Sequence, residues 1–276
     1  MAAAAPPPGP DLAQGASLVM AHPDDEVLWA SSVLARLDRI VLCFETVPSF
    51  PDWGPGRQRS LAAFPLPNAV NLGLTEAETF DSAAWPEPRE APYGLEVRRH
   101  DRSLPNFSEA RYKENFPALI AALRPHLAGL GTVITHNPWG EYGHEDHVLV
   151  FRAVEALQAE LGFALWVSCY VSDKSWPLMR RLLPRLDCRA PALPTDPELG
   201  ERLKTLYREN GCWTWFDDYA WPARETFFRL AGPGEPAPHP YPGSLINMVW
   251  TGWTPRPSLT QRALKGGARR LRRALP

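Results

Sequence analysis

The sequence predicts an α/β protein with a mostly parallel sheet and its chemistry at the carboxyl ends of the strands. Three observations carry that expectation. The apolar run Ser17-Leu18-Val19-Met20-Ala21 ends in His22-Pro23-Asp24-Asp25-Glu26 and hands over to a helical pattern. Residues 132–136, Thr-Val-Ile-Thr-His, repeat the layout, with a polar loop and a helix starting near Glu145. Between them, residues 39–46 form a β-branched, buried-type strand. That closes a strand–helix–strand unit, whose right-handed crossover makes its strands parallel. In open sheets of this kind ligands sit beyond the carboxyl ends of the strands.

The elements follow in order from local pattern. A strand at 16–21 is followed by an amphipathic to buried helix at 26–38 and the strand at 39–46. A loop carrying Pro48, Pro51, Gly54, Pro55 and Gly56 leads to a short helix at 57–64 and a third strand at 69–74. Residues 75–105 are irregular, rich in proline and charge, and long loops of that kind are often functional lids. A helix at 109–127 places Phe116, Leu119, Ile120 and Leu123 on one face. After the strand at 132–136, the helix runs from about Glu145 to Leu161, and a strand follows at 163–171. Two helices, 175–186 and 197–210, precede an aromatic cluster at 212–221 that either packs over the core or grips the apolar face of a ligand. Glu225-Thr226-Phe227-Phe228-Arg229 reads as a late strand.

The first strand end carries the chemistry. A glycine-rich turn there would cradle a phosphate, but the glycines are absent. Three adjacent carboxylates repel one another where water is scarce, and a bound cation removes that cost. Oxygen and nitrogen ligands on a tight turn suit a divalent metal. The second strand end supplies a partner. His144 and His147 are three apart, neighbours on one face of a first helical turn, and Asp146 stands between them. A carboxylate beside a histidine orients the ring and sets its tautomer.

Ala21-His22-Pro23-Asp24-Asp25-Glu26 and Gly140-Glu141-Tyr142-Gly143-His144-Glu145-Asp146-His147 together resemble the PIG-L-like zinc deacetylases. That family includes N-acetylglucosaminyl-phosphatidylinositol de-N-acetylases and deacetylases of mycothiol and bacillithiol biosynthesis. The resemblance covers roughly residues 16–160 well. It implies a Rossmann-like three-layer sandwich and removal of an N-acetyl group from an amino sugar or glycoconjugate. It implies zinc held by His22, Asp25 and His147, although two histidines, an aspartate and water also accept iron(II) or cobalt(II). Asp24 is then the general base, and Tyr142 donates to the oxyanion from a mobile position. His144 is the charged partner that stabilises the oxyanion or protonates the leaving amine, with Asp146 holding its ring and raising its pKa. Arg59, with Arg57 as runner-up, and Asp81 are the substrate-binding candidates. Glu26 reads as structural, at the helix start.

Composition narrows the field. The chain has 276 residues, 45% of them hydrophobic, enough for one large α/β domain with a core. A net charge of −2 gives no global case for nucleic acid. Cys43, Cys169, Cys188 and Cys212 are scattered without a C-x-x-C pair, which suits reduced thiols and a cytoplasmic setting. No run approaches the roughly 18 apolar residues of a membrane span. The expected organisation is a disordered lead at 1–15 that is not a signal peptide, a single deacetylase domain at 16–255, and a basic tail at 256–276. That tail, with Arg262, Lys265, Arg269, Arg270, Arg272 and Arg273, is either solvated or in weak peripheral contact with an anionic membrane. Two other classes compete: a metal-dependent amidase of a non-sugar N-acyl substrate, and a carbohydrate or nucleotide binder without turnover. No G-x-G-x-x-G follows a strand, which argues against a dinucleotide oxidoreductase.

Overall fold

The computed structural model describes residues 12–99, 105–190, 192–232, 234–235 and 245–254; most of the expected lead and the whole basic tail lie outside them. The principal strands are β1 (Ala16–Met20), β2 (Arg39–Thr46), β3 (Ala69–Thr75), β4 (Thr132–Thr135), β5 (Ala164–Ser168), β6 (Tyr170–Ser172), β7 (Leu186–Asp187), β8 (Phe227–Leu230) and β9 (Asn247–Val249). The helices are α1 (Asp25–Trp29), α2 (Trp53–Ala62), α3 (Glu109–Leu127), α4 (Glu145–Leu161), α5 (Trp176–Leu182) and α6 (Pro197–Glu209).

β1 is buried along its whole length, as a strand is when it has neighbours at both edges and layers on both faces. It pairs in parallel with β2 (Val19 opposite Val41) and with β4 (Leu18 opposite Ile134). The main sheet runs β3-β2-β1-β4-β5-β8-β7. β3 and β5 extend it in parallel, whereas β8 is antiparallel to both its neighbours. The chain therefore winds outward from β1 through β2 to β3, then returns to lay β4 on the other side of β1. Right-handed crossovers put α1 and α2 on one face and α3 and α4 on the other, and α6 packs against α1 and α2. The result is a three-layer α/β sandwich whose winding reverses between β1 and β4, so a crevice opens beyond their carboxyl ends. Both sequence motifs follow these two strands.

Several boundaries differ from the sequence expectation for identifiable reasons. The helix expected at 26–38 ends at Trp29 and resumes only as a 3₁₀ turn at Leu34–Arg36. Ala30 leaves helical geometry at φ −146°, and the Ser32 N–H donates to Glu225 at 2.6 Å instead of to a helical carbonyl. α2 begins at Trp53, four residues before the expected start. Pro55 falls in its first turn, where a missing N–H leaves no hydrogen bond unmade. The strand expected at 163–171 breaks at Cys169, after which β6 leaves the main sheet and pairs in parallel with β9. α5 stops at Leu182, and the 3₁₀ turn Leu183–Arg185 that follows contains Pro184. Residues 12–15 form a turn into β1, with Ala13 fully buried.

Candidate active site

The loop after β1 turns sharply. Asp24 adopts φ 107° and ψ −25°, a left-handed conformation that a non-glycine residue holds only when its surroundings over-determine it. The turn lets Asp25 fold back, so one of its oxygens (Oδ2) accepts the His22 backbone N–H at 2.8 Å and lies 3.0 Å from His22 Nδ1. The other oxygen (Oδ1) accepts the Trp29 indole N–H at 2.9 Å and faces His147 Nε2 at 3.2 Å. The two oxygens of Asp25 thus meet one histidine from each motif, His22 and His147.

The His147 tautomer follows from its other side. Glu141 Oε2 lies 2.8 Å from His147 Nδ1 and 2.9 Å from His136 Nδ1. A carboxylate takes protons from both rings, so Nδ1–H is the protonated position in each. For His136 the backbone concurs, because its Nε2 accepts the Ala21 N–H at 2.8 Å. His147 Nε2 is then a bare lone pair pointing at a carboxylate oxygen, and two acceptors face each other across 3.2 Å. His147 Nε2, His22 Nε2 and Asp146 Oδ2 are buried without a hydrogen-bond partner. Among the described residues, three side-chain sets bring ligand atoms within 4.8 Å of one another: His22 with His144 and His147; Asp25 with His136 and His147; and His22 with Glu76 and Asp146. Nitrogen and carboxylate donors so placed suit a divalent cation, which would relieve the acceptor–acceptor contact.

Asp24 points elsewhere, into a cavity of about 350 Å³ above this cluster. One of its oxygens accepts from the Thr214 N–H at 2.9 Å and the Thr214 hydroxyl at 2.7 Å. Burial and the neighbouring charge of Asp25 push its pKa up to about 7, against the pull of those two bonds. His22, Asp25, Arg57, Glu76, Tyr142 and His144 also line the cavity, with Phe50, Trp53, Phe80 and Trp215 as apolar walls. Arg57 donates to Glu76 at 2.7 Å, and both side chains are buried. His144 Nδ1 accepts the Asp146 N–H at 3.1 Å, so its proton sits on Nε2. Burial, reinforced by the His147 and His22 rings, holds the His144 pKa well below the usual imidazole value.

No protein-family model matches the chain. It is 26% identical over 204 residues to the 1D-myo-inositol 2-acetamido-2-deoxy-alpha-D-glucopyranoside deacetylase of Saccharomonospora viridis, a match spanning 65% of this chain and 74% of that protein. In sequence the chain is thus similar to a sugar deacetylase. Among solved structures, a zinc-inhibited form of teicoplanin deacetylase Orf2 overlaps 80% of this chain and 100% of that one, with 15% identity and a TM-score of 0.48. The A40926 pseudoaglycone deacetylase Dbv21 overlaps 80% and 97%, with 14% identity and a TM-score of 0.44.

Of the residues that the PIG-L-like motifs single out, the fold gathers His22, Asp24, Asp25, Tyr142 and His144 around one cavity, with His147 buried beside them against Asp25. Three others differ from expectation. Arg59 is exposed and bonds to Asn210, while Arg57 lines the cavity. Two residues apart on α2 means about 200° around its axis, and the buried side carries Gly54, Arg57 and Ser60. Asp81 turns from the cavity to pair with Lys174 at 3.1 Å, leaving Glu76, Glu78 and Phe80 to form that wall. Asp146 does not hold the His144 ring: Thr79 donates to one of its oxygens at 3.2 Å, and the other lies 3.5 Å from His22 Nε2. The His144 pKa is accordingly lowered, not raised.

Sequence reasoning also passed over His136, Glu141, Glu76 and Thr214. His136 had a signal, since it ends a buried strand as His22 follows one. Glu141 lies inside the quoted motif. Glu76 offered only its place after an apolar strand, and Thr214 only its place among aromatics.

Proposed function

We propose that this chain hydrolyses an N-acetyl group from an amino sugar or glycoconjugate, with zinc or a similar divalent cation held by His22, Asp25 and His147. The observation that carries this reading is the placement of Asp24. Its carboxylate stands beside a nitrogen–carboxylate cluster suited to a cation, is held on one oxygen by Thr214, and faces a cavity large enough for a sugar. The deacetylase named in the curated match supports the same reaction class.

When bound, the cation acidifies a water and polarises the amide carbonyl. Asp24 accepts the proton of the attacking water, with Thr214 holding one oxygen and leaving the other for transfer. His144, protonated at Nε2, and the Tyr142 hydroxyl donate to the carbonyl oxygen as it gains negative charge. Asp24 then returns its proton to the leaving nitrogen, giving acetate and a free amine. Arg57 and Glu76 form the wall that meets the hydroxyls of the sugar.

Acetate release from a panel of N-acetyl sugars and their conjugates tests this directly. Asp24→Asn should lower the rate by roughly 10²–10⁴-fold with metal content unchanged. His147→Ala should lose the metal. Near-native turnover in Asp24→Asn, or full metal occupancy in His147→Ala, would reject the corresponding assignment.

A further inference from the structure

The loop after β3 presents Phe80 to the cavity from a strained backbone. Residues 76–79, Ser82 and Ala83 are buried, whereas Phe80, between them, lines the cavity and is 47% exposed. Glu78 and Asp81 adopt φ 54° and 57°. Non-glycine residues keep that left-handed conformation only where their surroundings fix it. Here Glu78 accepts the Ser49 N–H and hydroxyl, each at 2.5 Å. Glu145, at the start of α4, accepts the N–H groups of Asp81, Ser82 and Ala83 at 3.0, 2.8 and 2.7 Å and the Trp85 indole N–H at 2.9 Å. These bonds pin the main chain on both sides of Phe80, but none of them reaches its ring.

Lys174 does reach it. This lysine lies between β6 and α5 and is buried. Its ammonium sits over the Phe80 ring, 4.7 Å from the centroid, and 5.0 Å from that of Trp85. The same ammonium pairs with Asp81 at 3.1 Å. Its stem crosses Gly143, where a Cβ would stand 3.0, 3.1 and 3.2 Å from the lysine Cε, Cδ and Cγ. Gly143 separates Tyr142 from His144, and the Phe80 ring lies 6.0 and 5.1 Å from the rings of those two residues. One buried cation therefore backs both the Phe80 wall and the turn that carries Tyr142 and His144. A lysine is seldom buried this far. Apolar residues of similar volume in place of a buried ion pair are often as stable or more so, which leaves the charge unexplained by stability alone.

We propose that Lys174 is a positioning residue for substrate binding: it fixes the Phe80 ring at the angle that receives the apolar face of the amino sugar. The C–H groups on one face of a sugar ring gain from contact with an aromatic surface already in place, because no side-chain rotation is then frozen on binding. The inference rests on the deacetylase reading for the identity of the bound ring.

The test has two arms, both on the full-length, zinc-loaded protein. In the first, 4-fluorophenylalanine replaces Phe80 and its fluorine NMR line is recorded without substrate. The parent should give one narrow line, and Lys174→Met, which keeps an apolar stem over Gly143 and removes the charge, should shift and broaden it. Asp81→Asn, an exchange that the left-handed backbone accepts, loosens the same ammonium and should move the line in the same direction, so it serves if Lys174→Met does not fold. In the second arm, acetate release from N-acetylglucosamine is measured for Lys174→Met, Phe80→Leu and the double variant. Each single substitution should raise KM on the order of 10-fold with kcat within about 2-fold, and the double variant should match the worse single one, because a residue acting through another has no effect once that other is gone. Release by the parent with an unmoved fluorine line, or with KM effects that multiply in the double variant, rejects the role of Lys174 and keeps the deacetylase. A Lys174-dependent line without acetate release from any N-acetyl sugar keeps the hold of Lys174 on the ring and rejects the deacetylase.

Discussion

Glu141 shows how much of this site depends on side chains that touch no substrate. One of its oxygens meets both His136 and His147, and the other accepts the Asn137 N–H at 3.0 Å and the Ser168 hydroxyl at 2.5 Å. Glu141→Gln leaves one accepting oxygen where two are used: its NH2 must face either the two ring N–H groups or the Asn137 N–H, so the bond that holds the His147 tautomer is lost or strained. Metal affinity should fall by roughly 10–100-fold, read by competition with a chromogenic chelator. A second residue links pH to stability. Burial raises the Glu225 pKa above its usual 4.5, against bonds from Tyr170 and Ser32. A carboxyl with a raised folded-state pKa binds its proton more tightly in the native protein. It therefore destabilises little below about pH 4.5 and progressively more as pH rises above that value. Urea unfolding of Glu225→Gln beside the parent should show the variant gaining relative stability from about pH 4 to about pH 7. A difference that stays flat across that range would mean that Glu225 does not titrate there. At this scale the sequence was legible in which side chains the fold brings together, as with His22, Asp24, Asp25 and His147. It was not legible where direction decides. Arg57 and Arg59 look alike in the sequence, and only the starting point of α2 determines which one enters the cavity.

The elements were legible by periodicity and illegible at their ends, where tertiary partners intervene. Glu225, nearly two hundred positions along the chain, takes the Ser32 N–H and so ends α1 early. β5 would run on but for the switch at Cys169 that hands the chain to β9. α2 begins at Trp53, just ahead of a Gly-Pro-Gly stretch that reads as loop, and its two glycines let it approach its neighbours. A Cβ built on Gly56 would lie 2.4 Å from the Asn210 carbonyl at the end of α6. Gly56→Ala must therefore push α2 away from α6. We expect a loss of about 1–3 kcal/mol in thermal or urea unfolding. Because Arg57 is the next residue, sugar binding should weaken with it, which titration of the folded variant would reveal. An unchanged melting temperature would show that the two helices separate freely.

At the scale of the molecule, the α/β class and the placement of both motifs at strand ends could be read in the sequence, because buried strands alternating with helices leave few alternatives. The strand order could not, since pairing partners are set by packing and not by local pattern. That order brings the loop after β1 beside the loop after β4, and the cation proposed for that junction should brace the whole fold. At a free concentration about 100 times its dissociation constant, a ligand bound only by the native state contributes about 2.7 kcal/mol. Chelation should lower the melting temperature of the parent protein accordingly and leave that of His147→Ala unmoved. A parent melting curve indifferent to chelator would argue against a bound cation at this junction.

The same strand order has a consequence in time. His22 and His147 are separated by 147 − 22 = 125 positions. At translation rates of roughly 5–20 residues per second, the acidic turn is made on the order of 6–25 s before its histidine partner. During that interval Asp24, Asp25 and Glu26 have neither a cation nor a crevice, and water must screen them. A ribosome-bound chain stalled before residue 140 should therefore bind no zinc tightly, whereas the released protein should acquire both its crevice and its metal late, in a single step.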